Sequence, residues 1–373
     1  MAYIWQNHAW PNFKYDKDQV EKAYGQYLYQ KGIADGAFAM LSERTRKAMA
    51  VQSLSDEITS SSAIEGVKLQ YDSVYSSSVK QVDLDLSFKA HYGRNEESVS
   101  KLILAAHGNH TPLTVERILN WHRLLFEGVA KAFAPKEIGA FRTGPVYVVH
   151  DTHRDVEIVY EGVPAERIET EMRRLLEFIN SDCEPNILFR SAIASFWFVL
   201  IHPFGDGNGR ISRAIADYVL SVQSGSDFRP YSVSASIIKD RSAYYDCLQK
   251  TQTESMDITQ WLLWFISTVC SSLAYSVEVC HRKQRTALLM NSLDPSKYNS
   301  RQIQMLYRLA DGSFYGKLTA EKWMKMTKCQ SATATRDLSH LVENGLLVRL
   351  GDVGKGTHYI LNPQIEESTS KDS

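Results

Sequence analysis

At 373 residues the chain is longer than one simple core usually organises, so two or three domains are expected. Apolar residues make up 44% and charged residues 23%, a globular balance that excludes a wholly disordered or fibrous chain. Lys and Arg total 42 against 43 Asp and Glu, so a net charge of −1 gives no whole-protein field for nucleic acid or membrane.

The opening from Tyr3 to Asp16 is aromatic and irregular and predicts an arm packed on the body. From Lys17 to about Gln70 apolar residues recur at helical spacing, as in Val20, Tyr24, Tyr27 and Leu28. Tyr71–Asp85 is polar and serine-rich and predicts an exposed connection or a frayed helix end. Helices are predicted at Asn95–His107, Thr114–Phe126 with Thr114 as N-cap, Pro164–Asn180 and Asn186–Leu200. Between them, Val146–Val149 and Glu157–Tyr160 read as a hairpin around a polar turn holding His150 and His153, which are expected to be exposed. Further helices are expected at Ile211–Val222, Asp240–Gln252 and Ile258–Thr286, followed by a linker at Asn291–Asn299 and a small separate domain. The tail Glu366–Ser373 has a disordered composition.

The five cysteines, Cys183, Cys247, Cys270, Cys280 and Cys329, include no C-x-x-C pair, so a reducing, cytoplasmic setting is expected rather than a zinc or disulfide framework. No signal peptide is visible, and Ala192–Ile201 is too short an apolar run to span a bilayer, so no membrane partner is expected.

The chemistry concentrates in His202–Arg213. An apolar helix runs into His202 and is stopped by Pro203. Gly205, Gly207 and Gly209 then permit tight turns and close approach of a ligand, and an amphipathic helix follows from Ile211. A glycine-rich turn at a helix N-terminus offers unpaired N–H groups to phosphates. Arg210 and Arg213, three apart, share a helical face and supply guanidinium forks for further phosphates. Asp206 is a hard oxygen ligand suited to Mg²⁺, and His202 is a base with a near-neutral intrinsic pKa. Together these groups describe nucleotide-dependent group transfer.

The same window resembles the Fic family pattern His-x-Phe-x-(Asp/Glu)-Gly-Asn-Gly-Arg-x-x-Arg, carried here by His202, Phe204, Asp206, Gly207, Asn208, Gly209, Arg210 and Arg213 without departure. The resemblance implies a mainly α fold: a Fic-type helical bundle with a small β-hairpin flap, plus a C-terminal winged helix-turn-helix. It implies protein adenylylation, in which His202 deprotonates a Ser, Thr or Tyr hydroxyl of a target protein, or of the enzyme itself, for attack on the α-phosphate of ATP. Phe204 would anchor the loop and Asp206 would hold Mg²⁺. Gly207, Asn208 and Gly209 would cradle the α- and β-phosphates, and Arg210 and Arg213 the β- and γ-phosphates. Tyr244, Tyr245 and Gln252 match the region around the adenosine, and the hairpin matches a flap that aligns the target peptide by strand addition.

Ser61-Ser62-Ala63-Ile64-Glu65-Gly66 resembles the family's inhibitory pattern (Ser/Thr)-x-x-x-Glu-(Gly/Asn). Ser61 and Glu65 fall on one helical face, and Gly66 suits a helix end. By resemblance Glu65 would pair with Arg213 and hold ATP in a non-productive pose. The expected domains are 1–90, an N-terminal helical domain with this helix; 91–290, the catalytic core; and 296–365, the winged helix.

In that last domain three helical segments precede Leu346–Leu350 and Thr357–Leu361, which bracket a glycine-rich tip. Between Lys297 and Leu361, ten Lys/Arg stand against five Asp/Glu, an excess of five positive charges in the direction of a nucleic-acid footprint. Lys328, Arg336, His340 and Lys355 are the candidate DNA contacts, with protein docking as the alternative use of the same shape. A homodimer is compatible with the sequence. Two other functions stay open: removal of AMP from modified proteins by the same site, and a nucleotide-sensing DNA-binding regulator.

Overall fold

The computed structural model describes residues 3–81, 94–107, 111–152, 155–224, 229–252, 255–314, 316–351 and 356–365. Packing divides the chain into two compact units, Met1–Gly36 with Ser42–Ser276, and Ala37–Leu41 with Val277–Ser373. In chain order the helices begin with α1 (Lys17–Ala39), α2 (Glu43–Ile64), α3 (Tyr71–Gln81), α4 (Arg94–His107) and α5 (Val115–Phe126). An antiparallel hairpin follows, β1 (Tyr147–Thr152) with β2 (Asp155–Glu161), its register shifted by a bulge between Val148 and Val149. Then come α6 (Ile168–Asn180), α7 (Ile187–Ile201), α8 (Asn208–Ser224), α9 (Ser234–Ile237), α10 (Arg241–Thr251) and α11 (Thr259–Ser292). The chain continues through α12 (Ser300–Ala310), α13 (Ala320–Thr327), α14 (Ser331–Glu343), β3 (Leu347–Leu350) and β4 (His358–Leu361). The fold is mainly α, as expected.

In the larger unit α7 is predominantly apolar around its whole circumference, and its polar residues Arg190, Ser191 and Ser195 are themselves buried, as in a helix enclosed on most sides. Asn186 caps it, accepting from the N–H groups of Leu188 and Phe189 at 3.0 and 3.3 Å. Small residues let α8 lie close against it: Ser212 Oγ donates to Ser195 O at 2.8 Å and Ser191 Oγ to Ala216 O at 2.9 Å. The N-terminal arm packs as expected, with Ile4 and Trp10 buried. Trp5 Nε1 donates to Glu161 O and Trp10 Nε1 to Glu171 Oε2, both at 2.8 Å.

Three expectations change. The serine-rich stretch after Gln70 is a regular helix, α3, with Val74, Ser76, Ser77, Ser78 and Val79 buried. Ser76 and Ser78 donate to the carbonyls four residues back at 2.7 and 2.9 Å, so polar residues satisfied within their own helix can face a core. The division expected at 90/91 is not a break in packing, because the buried face of α2 joins it to residues far along the same unit. Lastly, α11 holds a stretch long and apolar enough by composition to cross a membrane, and half of it is buried inside the protein. Trp261, Leu262, Phe265, Ile266 and Val269 there are core residues.

The smaller unit has its own core, centred on Leu306, Trp323, Leu338, Leu341 and Leu347. β3 and β4 pair antiparallel from Leu347↔Leu361 to Leu350↔His358, and Leu318 bridges to Tyr359. Lys328 and Arg336 are exposed. His340 is half-buried, with Nδ1 3.2 Å from Gln302 Nε2 and its ring 5.7 Å from that of Tyr298. His153, Lys355 and Glu366–Ser373 lie outside the described residues, as does the side chain of His150.

Candidate active site

α7 ends at His202, whose backbone is left-handed at φ 51°, ψ 59°. That conformation is unfavourable for a residue with a Cβ, and it turns the chain sharply out of the helix. His202 Nδ1 lies 3.1 Å from Val199 O. A carbonyl can only accept, so Nδ1 carries the proton and Nε2 keeps its lone pair. Burial, with help from the positive charge of Arg142, pushes the imidazole pKa down to about 4 against the pull of the Val199 hydrogen bond, Glu65 and Asp206. The ring is therefore a neutral base at pH 7.

The loop beyond it is pinned at several points. Asn208 accepts from Phe204 N at 3.0 Å and donates to Phe204 O at 2.8 Å, so its amide closes the loop rather than facing a ligand. Phe204 is fully buried and stacks on His122, ring centroids 4.0 Å apart and planes 12° apart. His122 Nδ1 accepts from Gly139 N at 2.9 Å, which leaves Nε2–H to donate to Asp206 O at 3.1 Å. Burial lowers the pKa of His122 to about 4, so it holds this geometry uncharged. The His202 carbonyl is gripped by Arg142, whose Nε donates to it at 2.7 Å.

Gly207 has φ 86°, and a Cβ there would lie 2.7 Å from Leu125 Cδ2, so the turn has room only for glycine. α8 starts at Asn208, and its first N–H groups have no intrahelical acceptor, which makes an anion-binding end. Asp206 is more than half exposed, accepts from Gly207 N at 2.5 Å and pairs with Arg210 Nη2 at 3.3 Å. Arg210 is buried over the Phe126 ring, and its Nε has no partner, leaving an unspent donor beside the loop. Among the described residues no group of three or more His, Cys, Asp or Glu side chains could hold a metal by itself.

The end of α2 lies against this helix start. The helix stops in the way a terminal glycine allows, with Gly66 at φ 78° and Val67 N donating to Ser62 O at 3.0 Å. Arg213, buried, gives every side-chain nitrogen to α2 and its cap: Nη1 to Glu65 Oε1 at 2.9 Å, Nε to Ser61 Oγ at 3.0 Å and Nη2 to Ser61 O at 2.7 Å. Burial alone would raise the Glu65 carboxyl, but the charge and hydrogen bond of Arg213, aided by Arg210 and Tyr245, bring it below the usual range. A Cβ on Gly209 would meet Glu65 Oε1 at 2.1 Å, so the carboxylate rests on the first turn of α8 where a side chain would otherwise stand. Two turns back, the buried carboxylate of Glu57 anchors α2 to the 232–234 segment. It accepts from Ser232 Oγ at 2.7 Å and Ser234 N at 3.0 Å, and bonds Ser234 Oγ.

The adenosine candidates separate. Tyr245 OH is 3.3 Å from Glu65 Oε2, and its ring is partly exposed. Tyr244 is buried against Trp264, ring centroids 5.3 Å apart, and burial raises its hydroxyl pKa to about 12. It is a core aromatic. Gln252 Nε2 donates to Val159 O on β2 at 3.1 Å, which ties it to the hairpin. Arg142, His122 and Glu57 escaped sequence reasoning. Only His122 left a trace there, as a histidine on the apolar face of a predicted helix.

Comparisons with known proteins bear on the family and the fold. Residues 112–220 match the Fic/DOC family, and residues 3–84 match a domain of unknown function, DUF4172. Protein adenylyltransferase fic-1 of Caenorhabditis elegans is 30% identical over 141 residues, 37% of this chain and 24% of that protein. The chain thus spans about a quarter of the curated relatives it matches. A Fic family protein from Desulfovibrio desulfuricans G20 shares the fold at TM-score 0.55 and 19% identity, over 93% of this chain and 97% of that one. Fic-1 from C. elegans matches at TM-score 0.50 and 19% identity, over 72% of this chain and 74% of the solved chain.

Proposed function

We propose that this chain, a Fic family protein through its domain at residues 112–220, is a protein adenylyltransferase held in check by its own Glu65. The observation that carries the reading is the pairing, on one loop, of a neutral His202 with Nε2 free and the open N-terminus of α8. In the reaction His202 Nε2 takes the proton of a target hydroxyl, the oxygen attacks the α-phosphorus of ATP, and the bond to the bridging oxygen breaks to release pyrophosphate. The N–H groups at the start of α8 receive charge developing on the phosphates, and Arg210 offers its unspent Nε. An exposed carboxylate that belongs to no metal-holding cluster among the described residues fits a Mg²⁺ that takes its other ligands from phosphates and water, so Asp206 would hold it and the ion would neutralise phosphate charge. Tyr245 and Gln252 are the side chains placed to border the nucleoside.

Arg213 cannot grip a phosphate while all its nitrogens serve Ser61 and Glu65. The Glu65–Arg213 pair is therefore the brake, and loss of Glu65 frees Nη1 of the arginine for the γ-phosphate while Ser61 keeps Nε and Nη2 in place. The hairpin would receive an extended target segment. The positive, three-helix C-terminal unit with its β3–β4 hairpin is a winged helix that would dock on DNA or protein. Five cysteines with no C-x-x-C pair among them suit a reducing compartment.

The test is transfer of label from α-phosphate-labelled ATP with Mg²⁺ to the protein and to a lysate, comparing wild type, Glu65→Gly and His202→Ala. Label that rises in Glu65→Gly and vanishes in His202→Ala is the expected result. The seat of Glu65 against Gly209 favours a second reading, AMP removal with Glu65 positioning water. That reading predicts release of AMP from a modified protein by wild type and its loss in Glu65→Gly. No chemistry from any variant, with specific DNA binding, would leave a nucleotide-sensing regulator.

A further inference from the structure

We propose that Arg142 is a positioning residue for the base, locking the left-handed turn at His202 to both ends of the β1–β2 hairpin. The inference rests on the transferase reading of the site. Arg142 is buried in the segment before β1, and its guanidinium is spent on three backbone carbonyls. Nε donates to His202 O at 2.7 Å, Nη1 to Gly144 O at 2.6 Å, and Nη2 to Val163 O. Its own N–H donates to Pro203 O at 3.0 Å. Gly144 enters the hairpin and Val163 leaves it, so one rigid fork joins the catalytic turn to the two feet of the flap.

Several features mark this as more than filling. A buried guanidinium is costly to desolvate, and an apolar residue would fill the volume without that cost. His202 sits at φ 51°, a conformation a non-glycine residue keeps only when its surroundings hold it, and Arg142 holds its carbonyl. A Cβ on Gly162 would stand 2.9 Å from Arg142 Nη2 and 3.0 Å from His202 Cβ, so the strand leaving the flap passes hard against both. The direction of Nε2 is set by this turn, and through Arg142 it is tied to the surface that would receive the target.

The test places Arg142→Lys and Arg142→Gln in a Glu65→Gly background. We expect kcat to fall about tenfold to a hundredfold, as for a misplaced base, while KM for ATP changes less than about twofold. Lysine, able to reach one carbonyl, should recover part of the rate lost in Arg142→Gln. Of the charges facing His202, Arg142 opposes its protonation and Asp206 favours it, while Glu65, which also favours it, is absent from this background. Removing the positive charge should therefore move the acid limb of the pH profile upward in Arg142→Gln and not in Arg142→Lys. Unchanged kcat, or a loss carried wholly by KM for ATP, overturns the assignment. So does failure of both variants to fold, which would make Arg142 a folding residue. If the Glu65→Gly parent transfers nothing, the transferase reading fails separately. NMR of ring-labelled histidine then decides for Arg142: a shifted His202 resonance with a raised pKa in Arg142→Gln supports it, and an unmoved signal sinks it.

Discussion

The loop from His202 to Asn208 and the end of α2 border the same helix start, but they are held by different kinds of contact. In the loop, backbone groups are the targets: Arg142 takes the His202 carbonyl, Asn208 both polar groups of Phe204, and His122 the Asp206 carbonyl. At the end of α2, the hold on α8 is the guanidinium of Arg213, met by one carboxylate, one hydroxyl and one carbonyl. Backbone targets cannot rotate away, so the loop is built once and stays. A charged side-chain pair can exchange one anion for another, and a phosphate is the natural replacement for Glu65. The reactive geometry and its control are therefore mechanically separate, and substitutions should tell them apart.

The largest effect should come from the loop's chemistry. His202→Ala should lower AMP transfer by about 10²–10⁴-fold with little change in thermal stability, because the residue is only half-buried and its ring is held through a hydrogen bond to Val199 O. A stable variant that retained most of the activity would remove His202 as the base. Phe204→Ala should instead cost about 3–5 kcal/mol in denaturant unfolding, since it empties a fully buried site stacked on His122. If stability hardly moved, the loop would be held by its hydrogen bonds alone.

Glu65→Gly tests the other side of the comparison. Transfer should rise about fivefold to a hundredfold, the usual span of a coupling between two sites. The unfolding free energy should fall as Arg213 is left without its carboxylate. Activity that rises while ATP affinity is unchanged would mean that Glu65 blocks the pose rather than the binding. A pH series on the released enzyme makes a further, smaller distinction. With the His202 pKa near 4, transfer at pH 5.5 should stay close to its neutral value, where an unshifted histidine would already have lost about tenfold. A limb near pH 6.5 would show that the ring is better solvated than its burial implies.

What the sequence made legible follows the same division. The loop could be read because His202, Asp206, Arg210 and Arg213 fall in one window whose spacing is also their spatial arrangement. Ser61 and Glu65 could be read because a helix brings residues four apart onto one face. Arg142 could not, since its partners are carbonyls as many as 60 residues away, and a carbonyl has no letter in the sequence. α3 was hidden by its serines, which count as polar in any pattern but bond their own backbone. Tyr244 matched the adenosine region by resemblance and is a buried core aromatic by position, a placement that only tertiary structure makes.

Glu57 offers the finest cut, because it belongs to α2 yet is held as the loop is, by a set of fixed donors. Burial, reinforced by the negative charge of Asp217, raises its pKa to about 7 from an ordinary 4.5, against the hydrogen bonds of Ser234 and Ser232 and the charge of Arg229. Between those two values the folded protein keeps a proton that the unfolded chain has released. Stability should therefore fall as pH rises across that window, by at most about 1.4 kcal/mol per pH unit from this group. Glu57→Gln keeps the shape and removes the titration, so its unfolding free energy should lose that slope. If the slope survives in Glu57→Gln, another buried group carries it, and Asp56, raised by burial to about 6 on the same helix, is the next to replace. If the slope disappears and AMP transfer by the wild type also rises toward pH 8, then the anchor of α2 and the grip of Glu65 loosen together, and the brake is a property of the whole helix rather than of its last residue.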